Sequence, residues 1–428
     1  MFMLAVGIDW AEEFHDVALG RPCDGVFDEI HVDHTPAAID ALIARIAALE
    51  PDAAEVRVVI ETRHGLLVER LVDAGFTVLP VNPDLVARRR GPAKKKDDAE
   101  DARIACLIAL DQFLDLRKLV PHGELAGELR AIARDDLRAQ RDERRLLNRL
   151  RADLLAAFPA ARNIAGEDLS APTFLKLLER WPTADALAAA SRDDIEAFAR
   201  SNKHGWPDRF ADRVETALAA EHFAAKPYLV RAKADTIRLA AAQLLLIRSQ
   251  RRVWEKRMGA LLLGAPREGR SNQPGDDRGP AVPGGEIYLS FPGLGDRLAA
   301  RIAGEIGDIT TFTTANALQC YAGKAPVTRR SGKSELTIAN RLACNRFLAD
   351  AVQQWAFTSL LRSGWAREFY DAKIAIGNNH HKALRALGNR WLEVLWHCLA
   401  NDLAYNEEIH VANRNRATGR PQEPSKAA

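Results

Sequence analysis

Residues 3–9 (MLAVGID) are a nearly unbroken apolar run that stops on an aspartate. A short run follows at 15–19, and two more occupy 56–61 (VRVVIE) and 77–81. Runs of four to eight apolar residues of this kind read as buried strands. Between them, residues 36–49 and 66–74 carry apolar residues at helical spacing, with Gly75 placed to stop the second helix. Strands alternating with helices predict a largely parallel α/β sheet. Asn82-Pro83 closes the last strand with a turn.

The texture changes near residue 124. Glycine and proline almost vanish up to Pro159, and Leu129, Ile132, Leu147, Leu150 and Leu154 mark an apolar seam interrupted by Asp136 and Glu143. Short helices are expected over 172–223 and a second long helix over 228–263. Two long helices around a small helical insert predict an antiparallel arm, partly coiled coil. The stretch 264–285 is rich in Gly, Pro and charge and reads as a flexible linker. The expected division is therefore an α/β domain (1–123), a long-helix arm (124–263), the linker (264–285), a mostly helical C-terminal domain (286–405) with Trp355, Trp365, Trp391 and Trp396 in its core, and a disordered polar tail (406–428).

Composition bears mainly on what the chain is not. It has 428 residues, 47% of them hydrophobic and 28% charged, as in soluble multidomain proteins. No apolar run reaches the length of a membrane span, and the first residues lead straight into a strand pattern, so neither a membrane anchor nor a secretory leader is expected. The five cysteines are scattered without a CxxC pair, which indicates neither a zinc site nor a disulfide framework, and fits a reducing cytoplasm.

Four carboxylates stand out. Asp9 and Glu61 each end an apolar strand, where an ionised side chain without a partner is costly to bury. Asp98 and Asp101 lie three apart at the start of the helical run DDAEDARIACLIA, hence on one face. Taken singly, either could be an ordinary helix cap. Together, the four can converge at one edge of the sheet, where ligands of open α/β sheets sit. Clustered carboxylates raise one another's pKa unless a cation is present. A hard divalent ion with oxygen ligands, Mg²⁺ or Mn²⁺, resolves the repulsion, and two such ions support phosphoryl transfer.

The net charge is only +2, but basic residues cluster. Arg88, Arg89, Arg90, Lys94, Lys95 and Lys96 flank Gly91-Pro92 just before the aspartate pair, where they suit a phosphate backbone. Arg130, Arg134, Arg138, Arg141, Arg145 and Arg149 recur at steps of four and three on one helical stripe. That stripe reads equally well as a nucleic-acid surface and as a set of ion pairs with Asp135, Asp142 and Glu143.

These residues resemble a known family. GIDWAEEFHDVAL, VVIETRHGLLVERLVDAGFTVLPVNP and KKKDDAEDARIACLIA are similar, in order and spacing, to the three N-terminal blocks of the Piv-type DEDD transposases, the insertion-sequence recombinases guided by a bridge RNA. FPGLGDRLAARIAGEIGDITTF resembles the family's helix-hairpin-helix-like segment, and YAGKAPVTRRSGKS its Ser-Gly block. The resemblance implies an RNase H/RuvC-like domain with Asp9, Glu61, Asp98 and Asp101 as metal ligands. It implies Ser331 as a nucleophile that holds DNA as a phosphoserine ester, with Arg329, Arg330 and Lys333 beside it on the nucleic acid. It also implies a composite site, donor DNA, target DNA and guide RNA as partners, and a dimer or tetramer. The sequence departs from the pattern at Arg63 and His64 and in TIANRLACNRFLAD, which retains Asn345 and Arg346. Two other readings stay open: a RuvC-like nuclease that hydrolyses DNA without a covalent link, and a nucleic-acid-binding protein without catalysis.

Overall fold

The computed structural model describes residues 3–63, 65–90, 97–114, 116–120, 123–264, 279–331, 334–338 and 344–418. The chain divides into two compact units, Met1–Pro121 and His122–Ala428.

The first unit is a five-stranded sheet in the order β3-β2-β1-β4-β5. Its elements run β1 (Leu4–Trp10), β2 (Phe14–Arg21), β3 (Gly25–Asp33), α1 (Pro36–Leu49), β4 (Val56–Ile60), α2 (Leu66–Asp73), β5 (Thr77–Pro80), α3 (Pro83–Arg90) and α4 (Asp98–Leu110). The expectation of a largely parallel sheet is corrected: β1, β4 and β5 are parallel, but β1–β2–β3 is an antiparallel meander. Strand β3 escaped notice because it carries no apolar run. Along a sheet edge its exposed residues alternate with partly buried ones and with the buried Val32, as a strand half in water does. Two cores lie on the two faces. Leu4, Val6, Ile8, Val58 and Ile60 pack with α1 and α2, while Ala5, Ala18 and Val59 pack with α4.

Helix α4 lies directly on β1. A Cβ on Gly7 would fall inside contact distance of Ala102 O and Cys106 N and 2.7 Å from Ala105 C. The absence of a side chain is thus what lets the two backbones meet. The Cys106 thiol, fully buried, reaches Ala5 O at 3.6 Å, and burial pushes its pKa up to about 12. As the helix advances from Ala102 to Cys106, the strand beneath it runs back from Gly7 toward Ala5. The first turn of α4 therefore lies over the opposite end of β1, where Asp9 stands.

The second unit is almost wholly helical. It contains α5 (Glu124–Ala157), α6 (Ala160–Ala165), α7 (Pro172–Arg180), α8 (Ala184–Ala188), α9 (Arg192–Ser201), α10 (Pro207–Ala219) and α11 (Pro227–Leu263). These are followed by α12 (Gly285–Leu289), α13 (Asp296–Ile306), α14 (Ala315–Tyr321), the hairpin β6 (Val327–Ser331) and β7 (Ser334–Ile338), α15 (Arg346–Ser359), α16 (Gly364–Ala375), α17 (His380–Ala400) and α18 (Glu407–Thr418). The hairpin and α18 were not expected, and α18 makes helix of the first part of the predicted tail. In the predicted linker, residues 265–278 lie outside the described residues, while Val282 is buried and bonded through its N–H to Leu261 O at 2.9 Å.

The long helices α5 and α11 pack antiparallel, as their ion pairs show: Arg257 meets Glu128, Arg251 meets Asp136 and Glu143, and Lys233 meets Asp153. One end of the pair joins a core with α6, α7, α9 and α10, built on Leu150, Leu154, Ile237 and Leu244. The other joins the C-terminal core of Leu129, Met258, Trp355 and Trp391. Trp355 and Trp391 are fully buried and stacked 5.1 Å apart, with Trp365 at 4.6 Å from Trp391. Among the described residues no helix is long and apolar enough to cross a membrane.

Just before the hairpin, the Lys324 side chain is buried and donates from Nζ to Gln353 Oε1 at 2.9 Å. Burial, with the charge of Arg385, lowers its pKa to about 8, against a pull upward from Asp350 and Cys344.

Two predictions follow from packing and burial. Gly7→Ala should destabilise the first unit by roughly 3 kcal/mol, the upper range for overpacking against backbone. Urea unfolding of the full chain, followed by a probe in that unit, should show it, and an unchanged midpoint would contradict the direct α4–β1 contact. Lys324→Met should raise the thermal midpoint at pH 7, because the folded state disfavours the ammonium. The gain should shrink as pH climbs from about 8 toward the ordinary lysine value of about 10.5, where the unfolded wild type is also neutral. A pH-independent difference would be the contrary result.

Candidate active site and nucleic-acid surface

Asp9 is the penultimate residue of β1, and Glu61 directly follows β4. The two strands are parallel neighbours with Ile8 beside Ile60, so the carboxylates leave adjacent strand ends at the same edge. Both are half-buried. The acidic first turn of α4 lies over this edge, with Asp98 exposed and Asp101 only 5% exposed. Negative charge there is favoured by the helix dipole. The fold thus brings all four sequence-predicted carboxylates to one end of the sheet.

Asp101 has a cationic partner. The Arg90 guanidinium forks onto it, Nε to Oδ1 at 2.7 Å and Nη2 to Oδ2 at 2.5 Å. A buried carboxylate needs compensation, and Arg90 provides positive charge where a metal ion otherwise would. In this arrangement no group of three or more His, Cys, Asp or Glu among the described residues is gathered closely enough to hold a metal ion. The donor chemistry, carboxylate oxygens alone, fits a hard divalent cation. Of the other basic residues before the aspartate pair, Arg88 is exposed and Arg89 donates to Asp111 at 2.6 Å. That bond, first among several, holds the Asp111 carboxyl below its usual range. Lys94, Lys95 and Lys96 lie outside the described residues.

Sequence reasoning missed the neighbours on β2 and β3. Asp16 is the register partner of Asp9 and is bonded to His31 Nδ1 at 2.9 Å. With Glu29, Ala99 and Ala102 they line a hollow of about 210 Å³ beside the first turn of α4. The alternation in FHDVAL was a signal for Asp16, and Ile30 and Val32 alternating with Glu29, His31 and Asp33 a weaker one for β3.

In the second unit Ser331 ends β6 opposite Ser334, the last pair of the ladder, with Arg329 opposite Leu336 and Arg330 opposite Glu335. Gly332 and Lys333 lie outside the described residues. The predicted arginine stripe divides. Arg130 and Arg134 turn toward α13, whose Gly304 has room for no Cβ against the Arg130 backbone at 2.8 Å. There Glu305, 3% exposed, accepts from Arg134 Nε at 2.6 Å and Nη2 at 2.9 Å, with Arg130 Nε at 3.6 Å. Arg138, Arg141, Arg145 and Arg149 are exposed, Arg138 and Arg145 pairing with Asp135 and Asp142. Burial works to raise the Glu305 pKa, but the bonds from Arg134 and Asn345 and the charges of Arg134 and Arg130 outweigh it and hold the carboxyl below its ordinary value.

Comparison with known proteins bears on what these groups serve. Residues 6–159 match the model of the DEDD transposases of IS110 type, and residues 285–371 match that of the IS116/IS110/IS902 transposase family. A Streptomyces coelicolor mini-circle protein described as a transposase for IS117 is 31% identical, with 94% of this chain and 95% of that protein covered. The 42 kDa protein of insertion element IS900 of Mycobacterium paratuberculosis is 30% identical over 89% of this chain and 92% of its own. The 44.8 kDa protein of insertion element IS116 of Streptomyces clavuligerus is 31% identical over 77% and 78%. The five-stranded sheet with α4 across it is accordingly the RNase H-like domain of a DNA-cutting and rejoining enzyme, and the chain belongs to the IS110/IS116/IS902 family of insertion-sequence transposases.

Proposed function

We propose that this transposase moves its element through a covalent serine–DNA intermediate, with divalent metal at the N-terminal carboxylates and a guide RNA choosing the DNA. The observation that carries the metal half is the exit of Asp9 and Glu61 from neighbouring parallel strands beneath the acidic first turn of α4. Asp9, Glu61, Asp98 and Asp101 would hold the ion, Mg²⁺ or Mn²⁺, which when bound polarises a phosphoryl oxygen and stabilises developing charge. Arg90, which forks onto Asp101, balances its charge in the absence of the ion.

Ser331 is the nucleophile in this reading. Its Oγ forms a bond to a backbone phosphorus of DNA as one P–O ester bond breaks. The hydroxyl proton ends on the leaving oxygen, so the released strand end departs as a hydroxyl. One phosphodiester replaces another, so the bond energy is conserved for rejoining, whereas hydrolysis would discard it. A serine hydroxyl needs activation to attack. The serine's place at the end of a hairpin strand within the family block supports this assignment.

The division of labour follows: 1–123 for metal chemistry, 124–263 as an arm with coiled-coil character, 264–285 as linker and 286–405 for the serine. Donor and target DNA, and the guide RNA, would be gripped through phosphates by Arg88, Arg89, Lys94, Lys95, Lys96, Arg329, Arg330 and Lys333 and by the exposed part of the α5 stripe. The protein would act as a dimer or tetramer.

The test is a nicked duplex carrying the ends of the element, incubated with the full chain, Mg²⁺ and RNA transcribed from the element's non-coding end, then run on a denaturing protein gel. Wild type should yield a DNA-shifted band, absent in Ser331→Ala, in Asp9→Asn and in chelator, with losses of at least about a hundredfold. Free cut DNA without a shifted band, undiminished by Ser331→Ala, would instead make the protein a hydrolytic RuvC-like nuclease.

A further inference from the structure

The hairpin that carries Ser331 springs from the C-terminal core between Tyr321, the last residue of α14, and Asn345, the N-cap of α15. These two ends are tied together. Asn345 N–H donates to Tyr321 O at 2.8 Å, and Asn345 Nδ2 donates to Tyr321 Oη at 2.9 Å. The same Nδ2 donates to Glu305 Oε2 at 2.7 Å. Meanwhile Asn345 Oδ1 caps α15 by accepting from Phe347 and Leu348 N–H, both at 3.1 Å. One side chain thus performs two separable tasks: its oxygen starts a helix, and its amide ties together the two ends of the segment that contains the hairpin.

Glu305 is the hub of the fastening. Its two oxygens take both donors of the Arg134 fork as well as the Asn345 amide. Arg134 is held in turn, its guanidinium lying 4.3 Å over the Phe347 ring, an arrangement that stabilises a desolvated cation. Arg134 belongs to α5, Glu305 to α13, Asn345 to the start of α15 and Tyr321 to the end of α14. The two ends of the segment that carries the serine hairpin, Tyr321 and Asn345, are therefore linked, through a single buried carboxylate, to the long helix α5. Helix caps are ordinarily served by water or local groups. Nothing in α15 itself requires its capping residue to reach a buried ion pair on two other helices.

We propose that Glu305 is a positioning residue for the serine hairpin, setting the root of β6–β7 against α5 through Asn345 and Arg134. This rests on the reading of Ser331 as nucleophile for its consequence in chemistry, but not for its consequence in structure. A nucleophile misplaced by about 1 Å loses on the order of a hundredfold in rate, so loosening the root should act on the chemical step and leave DNA capture intact.

Two variants separate this role from stability alone. Glu305→Gln keeps the shape but loses the charge that gathers both arginines. Asn345→Ser keeps a good helix cap but is too short to carry an amide to Glu305 and Tyr321. Hydrogen–deuterium exchange on the full chain should show the amides of Val327–Ser331 and Ser334–Ile338 exchanging at least about tenfold faster in both variants, with the cores around Trp355 and Trp391 still protected and Ser331→Ala unchanged. In the covalent-adduct assay, the maximal single-turnover rate should fall about tenfold or more while the DNA concentration for half-saturation stays within about twofold.

Faster hairpin exchange in a protein whose wild type forms no adduct would uphold the positioning role and remove Ser331 from catalysis. An adduct-forming wild type whose Asn345→Ser variant matches it in hairpin exchange and maximal rate would overturn the proposal. If Glu305→Gln does not fold, Asn345→Ser decides alone by the same two readings.

Discussion

How closely one helix can lie on one strand governs the N-terminal unit. With no Cβ at Gly7, the backbone of α4 between Ala102 and Cys106 touches that of β1. This contact fixes both the height and the direction of the helix. Everything at the carboxylate end inherits that geometry. Because α4 runs back along β1, its first turn covers the end of the sheet at which Asp9 and Glu61 emerge. Because it sits so low, Asp101 is buried rather than solvated and must be compensated by Arg90. A larger residue at position 7 would lift the helix, expose Asp101 and separate the helix-borne carboxylates from the strand-borne ones. Sheet register and a missing methyl group thus place all four carboxylates at one end of the sheet.

The second unit is ordered by a different device. Its buried carboxylates, Asp136, Glu143, Asp153 and Glu305, each meet an arginine or lysine from another helix. Such pairs add little net stability over apolar packing, but removing one partner costs about 3–5 kcal/mol because the other charge is left stranded. They consequently select register. An α11 displaced by one turn along α5 would leave Arg251 away from Asp136 and Glu143, and an apolar seam would not resist that slip as strongly. Glu305 applies the same principle where α5, α13 and α15 meet.

What could be read from the sequence divides along physical lines. The buried strands announced themselves because an apolar run must be hidden, and the long helices because glycine and proline are scarce within them. Strand β3 and the β6–β7 hairpin were fainter, since an edge strand half in water needs no apolar run and ladder pairing leaves no local trace in composition. The carboxylates were legible because an ionised group at the end of an apolar strand is out of place. The seam breaks at Asp136 and Glu143 were legible as irregularities, but their partner Arg251, more than a hundred positions away, was not. Glu305 and Asn345 carried no signal as a pair: one is a glutamate near a helix end, the other an ordinary cap residue. Only the tertiary arrangement gives them a common role.

The arginines of α5 show why periodicity finds a stripe but cannot apportion it. All six share a helical face by spacing, yet the environment along that face changes from α13 to water. At the buried end, Arg130 and Arg134 are bound to a carboxylate that cannot be released without stranding it, so handing either to a phosphate would be costly. At the exposed end, Arg138 and Arg145 face aspartates that are themselves about half exposed. Pairs of that kind contribute roughly 0.3–0.5 kcal/mol, which a charge-assisted bond to phosphate readily replaces. The boundary between arginines committed to a buried carboxylate and arginines open to another partner therefore falls between Arg134 and Arg138, where the partner carboxylate passes from buried to solvated.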